Sequence, residues 1–273
     1  MYAWSIHPRG SRRAALSLPS DTARVPCDRC AGRSLGVCAP LDDDALSSLV
    51  EMGGQRHWDK RQLLYRADDP VEAFYKIRNG IVIEYNLLND GRRQIVAIRS
   101  VGDLCGYPAA DGRYESTAQA ITPVEACAFS AAKFEARVKS DVEFACAATD
   151  ALSEQLKRAH ASLTAVGQLV AVERVIHFIL EMEKLQQAHG RKTGTISLHL
   201  ARYEIGDYLG LTVETISRTF ARLKDDGLIA LVGKDGVSVL DRKRLLKVAK
   251  VRAPVARLAA GHPMATSSGP QSI

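Results

Sequence analysis

The chain has 273 residues, with 37 Lys and Arg against 31 Asp and Glu, giving a formal charge of +6 at neutral pH. The isoelectric point is near 9.0. That length accommodates two domains with cores of their own, and the modest basic excess suits a polyanionic partner without establishing one. No apolar run reaches the roughly 20 residues of a membrane helix. Arg9, Arg12 and Arg13 are not followed by the apolar stretch of a signal peptide. A cytoplasmic protein without membrane contact is therefore expected, its six cysteines reduced or metal-bound instead of paired.

Residues 1–26 are rich in Ser, Pro and Arg without periodicity and read as a disordered tail. Residues 27–40 form a cysteine-rich loop, Cys27-x2-Cys30-x7-Cys38, flanked by Gly32, Gly36 and Pro40. A tight turn aims the first two sulfurs at one centre, and the glycine-containing loop brings in the third. Three thiolates need a fourth donor to close a tetrahedral or cubane site, and Cys105, Cys127 and Cys146 are the candidates. Cys146, among alanines on a helix, reads as a small buried hydrophobe. One knuckle with an offset third cysteine departs from the paired knuckles common in structural zinc sites.

Residues 41–140 read as a sensor domain. Leu41, Leu46, Leu49 and Val50 suggest a short helix, and short β-like runs follow between Asn79-Gly80, Asn89-Asp90-Gly91, Gly102-Asp103 and Thr122-Pro123. Strands at that spacing predict a small antiparallel roll. Over 141–170, Leu152, Leu156, Ala159, Leu163, Val166 and Val170 recur at alternating spacings of four and three. That seam predicts a dimerisation helix paired with a second copy, the alternative being a helix lying on the roll.

Residues 171–251 open with an apolar stripe (Val175, Phe178, Ile179, Met182, Leu185) and reach Glu204-Ile205-Gly206-Asp207-Tyr208-Leu209-Gly210-Leu211-Thr212-Val213-Glu214-Thr215-Ile216-Ser217-Arg218. Two amphipathic segments meet at Gly210, and Thr212 suits an N-cap. Ile205, Leu209, Leu211, Ile216, Phe220 and Leu223 form a common core. Val213, Glu214, Ser217 and Arg218 stay outward as readers of base edges, with Arg218 presenting two donors to guanine and Glu214 accepting from cytosine while bracing Arg218. The runs 227–231 and 237–240 around Lys234-Asp235-Gly236 predict a β-hairpin. Helix, turn, helix and a hairpin carrying Lys234 form a winged helix, so double-stranded DNA is the expected ligand. Arg191, Lys192, Arg202, Arg222, Lys224 and Arg242-Lys243-Arg244 add to the basic cluster. Residues 252–273 read as a second disordered tail.

This order resembles the superfamily of the cyclic-AMP receptor protein and the fumarate-and-nitrate-reduction regulator (FNR) over about residues 27–250. The glycine turns of the roll, Gly102-Asp103-Leu104, and the Ile205 to Arg218 motif carry the resemblance, the last most specifically and nearest the FNR branch. The seven-residue interval before Cys38 is a variant seen in the FnrN-like branch. The resemblance implies an α+β chain: an antiparallel β-roll of cyclic-nucleotide-binding type, a long dimerisation helix and a winged helix-turn-helix. It implies a 4Fe–4S cluster on Cys27, Cys30, Cys38 and Cys127, the last at the family's central-ligand position, with zinc as the alternative. It further implies sensing of oxygen or nitric oxide, homodimeric binding to a TTGAT-N4-ATCAA-like palindrome, and RNA polymerase as a partner. No cyclic nucleotide is expected, because Glu115-Ser116-Thr117 stands where receptors of that branch carry an Arg-Ser or Arg-Thr pair. A regulator with structural zinc or a thiol switch is the second reading. A cysteine redox enzyme is the third, weakened because no acid or base constellation surrounds Cys27 or Cys30.

Overall fold

The computed structural model describes residues 27–107, 111–188 and 194–250. The two expected tails, and Arg191 with Lys192, lie outside the described residues. The chain divides into two compact units, Met1–Arg158 and Ala159–Ile273.

In the first unit, Asp42 caps helix α1 (Asp43–Glu51) by accepting from the Ala45 N–H at 2.8 Å. Eight strands follow: β1 (Gly53–Trp58), β2 (Leu63–Tyr65), β3 (Ala73–Asn79), β4 (Val82–Leu87), β5 (Arg93–Arg99), β6 (Leu104–Cys105), β7 (Thr117–Ala120) and β8 (Val124–Ser130). They form two four-stranded sheets, β1-β8-β3-β6 and β2-β7-β4-β5, with antiparallel pairings. Gly80 and Gly91, at φ +93° and +83°, take the left-handed turns that the Asn-Gly and Asp-Gly pairs predict. Helices α2 (Ala131–Ser140) and α3 (Val142–Gln168) follow the roll.

The roll interior is packed with aromatic side chains. Tyr65 stacks on Tyr114 at 4.1 Å between centroids, and Trp58 meets Tyr75 edge-on. The Tyr65 hydroxyl donates to Glu84 at 2.7 Å, and Arg99 pairs with the same carboxylate at 2.5 Å. Cys105 belongs to this interior. Its thiol is pushed well above the ordinary range, first by burial and then by the Glu84 charge. Glu115 is exposed, so the packed tyrosines, more than a repelling carboxylate, shape this interior. On the outer face of the β1-β8-β3-β6 sheet a second core joins Leu46 and Leu49 of α1, Phe134 of α2, Phe144 of α3, and Phe74 and Phe129. Strand β3 is thus covered on both faces and buried over all but its last residue.

Helix α3 buries Phe144, Ala147, Ala148 and Gln155. Gln155 Nε2 donates to the Leu104 carbonyl at 3.0 Å, and Arg158 makes a two-pronged ion pair with Asp103. Leu152, Leu156 (56% exposed), Ala159 and Leu163 (72%) face outward, with Val166 half-buried. Cys146 corrects an expectation: it is exposed, because it falls opposite the stripe of Phe144, Ala147 and Ala148.

The second unit continues with α4 (Ala171–Ala188), β9 (Ile196–Ser197), α5 (Arg202–Leu209), α6 (Val213–Asp225), β10 (Ile229–Val232), β11 (Gly236–Val239) and α7 (Arg242–Val248). Strand β9, which the sequence pattern missed, extends the hairpin to a three-stranded sheet of order β10-β11-β9. Val175, Phe178, Ile179, Met182 and Leu185 of α4 are all buried, as are Ile205, Leu209, Ile216, Phe220 and Leu223, while Leu211 is half-buried. Among the described residues no helix is long and apolar enough to cross a membrane.

Candidate functional site

The candidate nucleic-acid interface is built by one turn. Gly210 adopts φ +64°, a left-handed conformation that closes α5, and its N–H donates to the Gly206 carbonyl. A Cβ on Gly206 would come within 2.5 Å of the Leu211 carbonyl oxygen, so only glycine lets the turn fold back here. Thr212 then starts α6, its hydroxyl accepting from the Thr215 N–H at 3.2 Å. Arg202 of α5 lies over the Phe220 ring at 3.7 Å, fixing the two helices together.

With Ile216, Phe220 and Leu223 inward, Val213, Glu214, Ser217 and Arg218 lie exposed together on the opposite face of α6. Glu214 is held below the usual carboxylate range, chiefly by its own N–H and the Thr212 hydroxyl, less by Arg218. The Arg218 guanidinium touches the Glu214 backbone carbonyl only at 3.4 Å. No ion pair joins the two side chains, so the expected bracing is not made in the free protein and Arg218 stays available. Beside this face, Val170, Ala171, Val172, Thr215, Arg218, Thr219 and Arg222 line an open basic cleft. Lys234 is exposed at the hairpin tip. The turn there is Gly233-Lys234-Asp235; Gly233 takes the positive φ (+60°), while Gly236 already belongs to β11. Other basic residues serve the fold: Arg242 pairs with Glu183 at 2.6 Å, and Arg174 donates to the Leu169 and Leu209 carbonyls.

The cysteines meet in the first unit. Cys27, Cys30, Cys38 and Cys127 line one pocket of about 550 Å³, open solvent included, with Arg33, Gln55, Lys76, Arg78 and Phe129 among its walls. The loop is held from inside: Cys30 N–H donates to the Cys27 carbonyl, and the Arg33 guanidinium donates to the carbonyls of Cys38 and Leu41 at 2.5 and 2.6 Å. It seats on the roll at Gly102, where a Cβ on Gly36 would strike the Gly102 carbonyl oxygen at 2.0 Å. Cys127 comes from β8, beside Gln55 of β1 and Lys76 of β3 in the strand registers. Burial pushes its thiol up to about 12, with the other sulfurs adding to the rise and Arg78 and Lys76 opposing it. Cys27 is raised too, by burial and then by Cys38 and Cys30. Cys105 and Cys146 do not line this pocket. No three His, Cys, Asp or Glu side chains among the described residues converge on a single metal-ion position.

Residues 173–248 match the Crp-like helix-turn-helix domain, and residues 55–141 match the cyclic nucleotide-binding domain. The chain is 33% identical to the nitrogen fixation regulation protein FixK of Bradyrhizobium diazoefficiens, over 80% of this chain and 92% of that protein. It is 33% identical to the transcriptional activatory protein AadR of Rhodopseudomonas palustris, over 84% and 96%. The solved structure of FixK2 from Bradyrhizobium japonicum superposes with a TM-score of 0.68 at 30% identity, covering 74% of this chain and 99% of that one. The chain belongs to the Crp/FNR family of transcription regulators.

Membership makes it a DNA-binding transcription activator and not an enzyme. For a Crp/FNR member, the sequence reading of the site overlooked Lys76 and Arg78. Their signal was present: two cations at period two inside the run Phe74 to Asn79, where an ordinary buried strand would carry apolar residues.

Proposed function

We propose that this Crp/FNR activator is a cytoplasmic homodimer that senses oxygen through a 4Fe–4S cluster and binds a TTGAT-N4-ATCAA-like palindrome to recruit RNA polymerase. The observation carrying this reading is the meeting of Cys27, Cys30, Cys38 and Cys127 around one pocket while Cys105 and Cys146 stay apart. The donor set fits the group. Four soft thiolates are the ordinary ligands of such a cluster, and the four cysteines lining one pocket can supply them. Structural zinc sites commonly use two paired Cys-x2-Cys knuckles, and this chain has one knuckle with an offset third cysteine, so structural zinc is the weaker alternative, and a metal-free thiol switch is the other. The cluster, when bound, supplies an oxidisable centre whose loss reports oxygen.

The chain's own residues then link the loop to the dimer helix. Leu35 and Gly36 rest on Gly102. The adjoining Asp103 holds Arg158, and Leu104 holds Gln155, both on α3. A loop released from its cysteines loosens this seat and the α3 residues pinned to it. The outward row of Leu152, Leu156, Ala159 and Leu163 is the surface that a second copy covers, because leucines so exposed in a row lack a partner. Two copies set two α6 helices on the half-sites of a palindrome. Thr215 and Arg222 in the cleft beside α6 suit the flanking phosphates. No cyclic nucleotide takes part, the roll interior being filled by Tyr65, Tyr75 and Tyr114.

Anaerobic purification with iron and sulfide analysis tests this. About four of each per chain are expected. Serine at Cys27, Cys30, Cys38 or Cys127 should abolish bound iron, and Cys146→Ser should not. Full iron in Cys127→Ser would refute the ligand set.

A further inference from the structure

The pocket contains more charge than the sulfurs alone explain. Lys76 is 1% exposed and Arg78 6%, both on β3 and both lining the cysteine pocket. Lys76 lies opposite Cys127 in the β3–β8 register, and its ammonium donates to the Gly32 carbonyl at 2.5 Å, within the cysteine loop. Arg78 sits where that register shifts between Ile77 and Asn79, an irregularity of the kind that re-aims a side chain. Among the described residues neither cation forms an ion pair with a carboxylate. By contrast, the buried Arg99 of the same roll is paired with Glu84.

Burying an ammonium or guanidinium without a counter-charge is costly, and buried cations are almost always paired. The groups facing Lys76 and Arg78 in this pocket are the four cysteines, the Arg33 guanidinium, the Gln55 amide and apolar side chains from α1 and β8. Among the described residues that line the pocket, the sulfurs are the one source of negative charge. Four thiolates on a doubly positive core leave two negative charges, and two cations match them.

We propose that Lys76 and Arg78 are positioning residues of the four-cysteine centre, a cationic floor that retains an anionic cluster. This deepens the cluster reading and rests on it. The pair contributes little to the roll itself and acts on the bound state. Because the attraction operates only when thiolates and core are present, removing either charge weakens retention of the centre while sparing the protein without it.

The test compares wild type with Lys76→Met, Arg78→Met and Lys76→Arg after anaerobic iron–sulfur loading. Methionine keeps an unbranched, flexible apolar stem and loses the charge. Two quantities are read: the rate at which a chelator withdraws iron without oxygen, and the urea midpoints of the loaded and metal-free proteins. Each methionine variant should release iron at least about tenfold faster, with Lys76→Arg close to wild type. The metal-free methionine variants should unfold at or above the wild-type midpoint, so that the gap between loaded and metal-free midpoints shrinks. Wild-type release rates in both methionine variants would overturn the proposal. So would loaded and metal-free midpoints falling together, or a metal-free variant that fails to fold, since Lys76 would then only tether the loop at Gly32. If wild type itself takes up no iron, the cluster reading falls as well. If wild type loads and the variants match it, this proposal alone is refuted.

Discussion

Arg218→Ala offers a clean test of how the recognition helix reads DNA. The side chain is exposed, and among the described residues it makes no ion pair and its one hydrogen bond is to the Glu214 carbonyl at 3.4 Å. Its removal should therefore change folding stability by no more than about 0.5 kcal/mol, and the loss will appear in binding. A bidentate arginine–guanine pair is worth about 1–3 kcal/mol. A dimer on a palindrome makes two such pairs, so about 2–6 kcal/mol is at stake. At about 1.4 kcal/mol per decade, that is roughly 30-fold to 20,000-fold in affinity. The assay is fluorescence anisotropy with wild type and Arg218→Ala, each on a palindrome with the G·C pair and on one carrying A·T instead. Wild type should lose affinity on the changed site; Arg218→Ala should bind both alike, at a uniformly reduced level reflecting the lost positive charge. Equal discrimination by the two proteins refutes the assignment and moves guanine reading to another residue.

Leu156→Glu and Leu163→Glu each place carboxylates face to face in a paired α3 seam and should give monomers that bind DNA weakly; unchanged sedimentation would mean that this row has no partner. Lys234→Ala should weaken binding to every sequence alike and lower the slope of log K against log salt by about one unit, checked by titration at several salt concentrations. His177 on α4 is pushed below the usual imidazole range by burial and then by Lys184. The unfolded chain thus takes up the proton first as pH falls, and the His177 contribution is present above the unfolded value and lost on acidification. Thermal midpoints between about pH 7.5 and 5 should fall less steeply in His177→Gln than in wild type; parallel curves would show that this imidazole does not matter.

The second unit was legible because its information is local. Gly210 needs a left-handed φ, Thr212 needs a free N–H to cap, and Ile216, Phe220 and Leu223 recur at helical spacing, so three neighbouring signals agree on one turn. The hairpin was legible in existence but not in register: both Gly233 and Gly236 could take the turn, and Thr195 crowding Gly236 reflects β9, which is only two residues long and has no pattern of its own. The cysteine loop announced itself by spacing, whereas its fourth member followed only from resemblance, since Cys127 reaches the loop through the pairing of β8 with β1 and β3. Cys146 was misplaced because Ala145, Ala147 and Ala148 are too uniform to reveal which side of α3 is covered. Lys76 and Arg78 escaped notice because a charged residue in a strand ordinarily marks a solvent face, and the layer that buries β3 is assembled from distant segments.

The split origin of the cysteine pocket has a consequence for biogenesis. About ninety residues separate Cys38 from Cys127, so at roughly 5–20 residues per second a ribosome delivers the fourth thiol about 5–20 s after the third. Even then Cys127 reaches the loop only when β8 has inserted between β1 and β3, the last strand of the roll to be made. On the proposed reading, a nascent chain therefore presents three of its four ligand thiols, and Cys105 besides, before it can complete the set, and during that interval it depends on a reducing environment. On that cluster reading, a chain that has acquired its fourth ligand has, by the same event, finished its roll. Maturation of the centre would thereby proofread the fold, keeping half-built copies out of the pool that reaches the promoter.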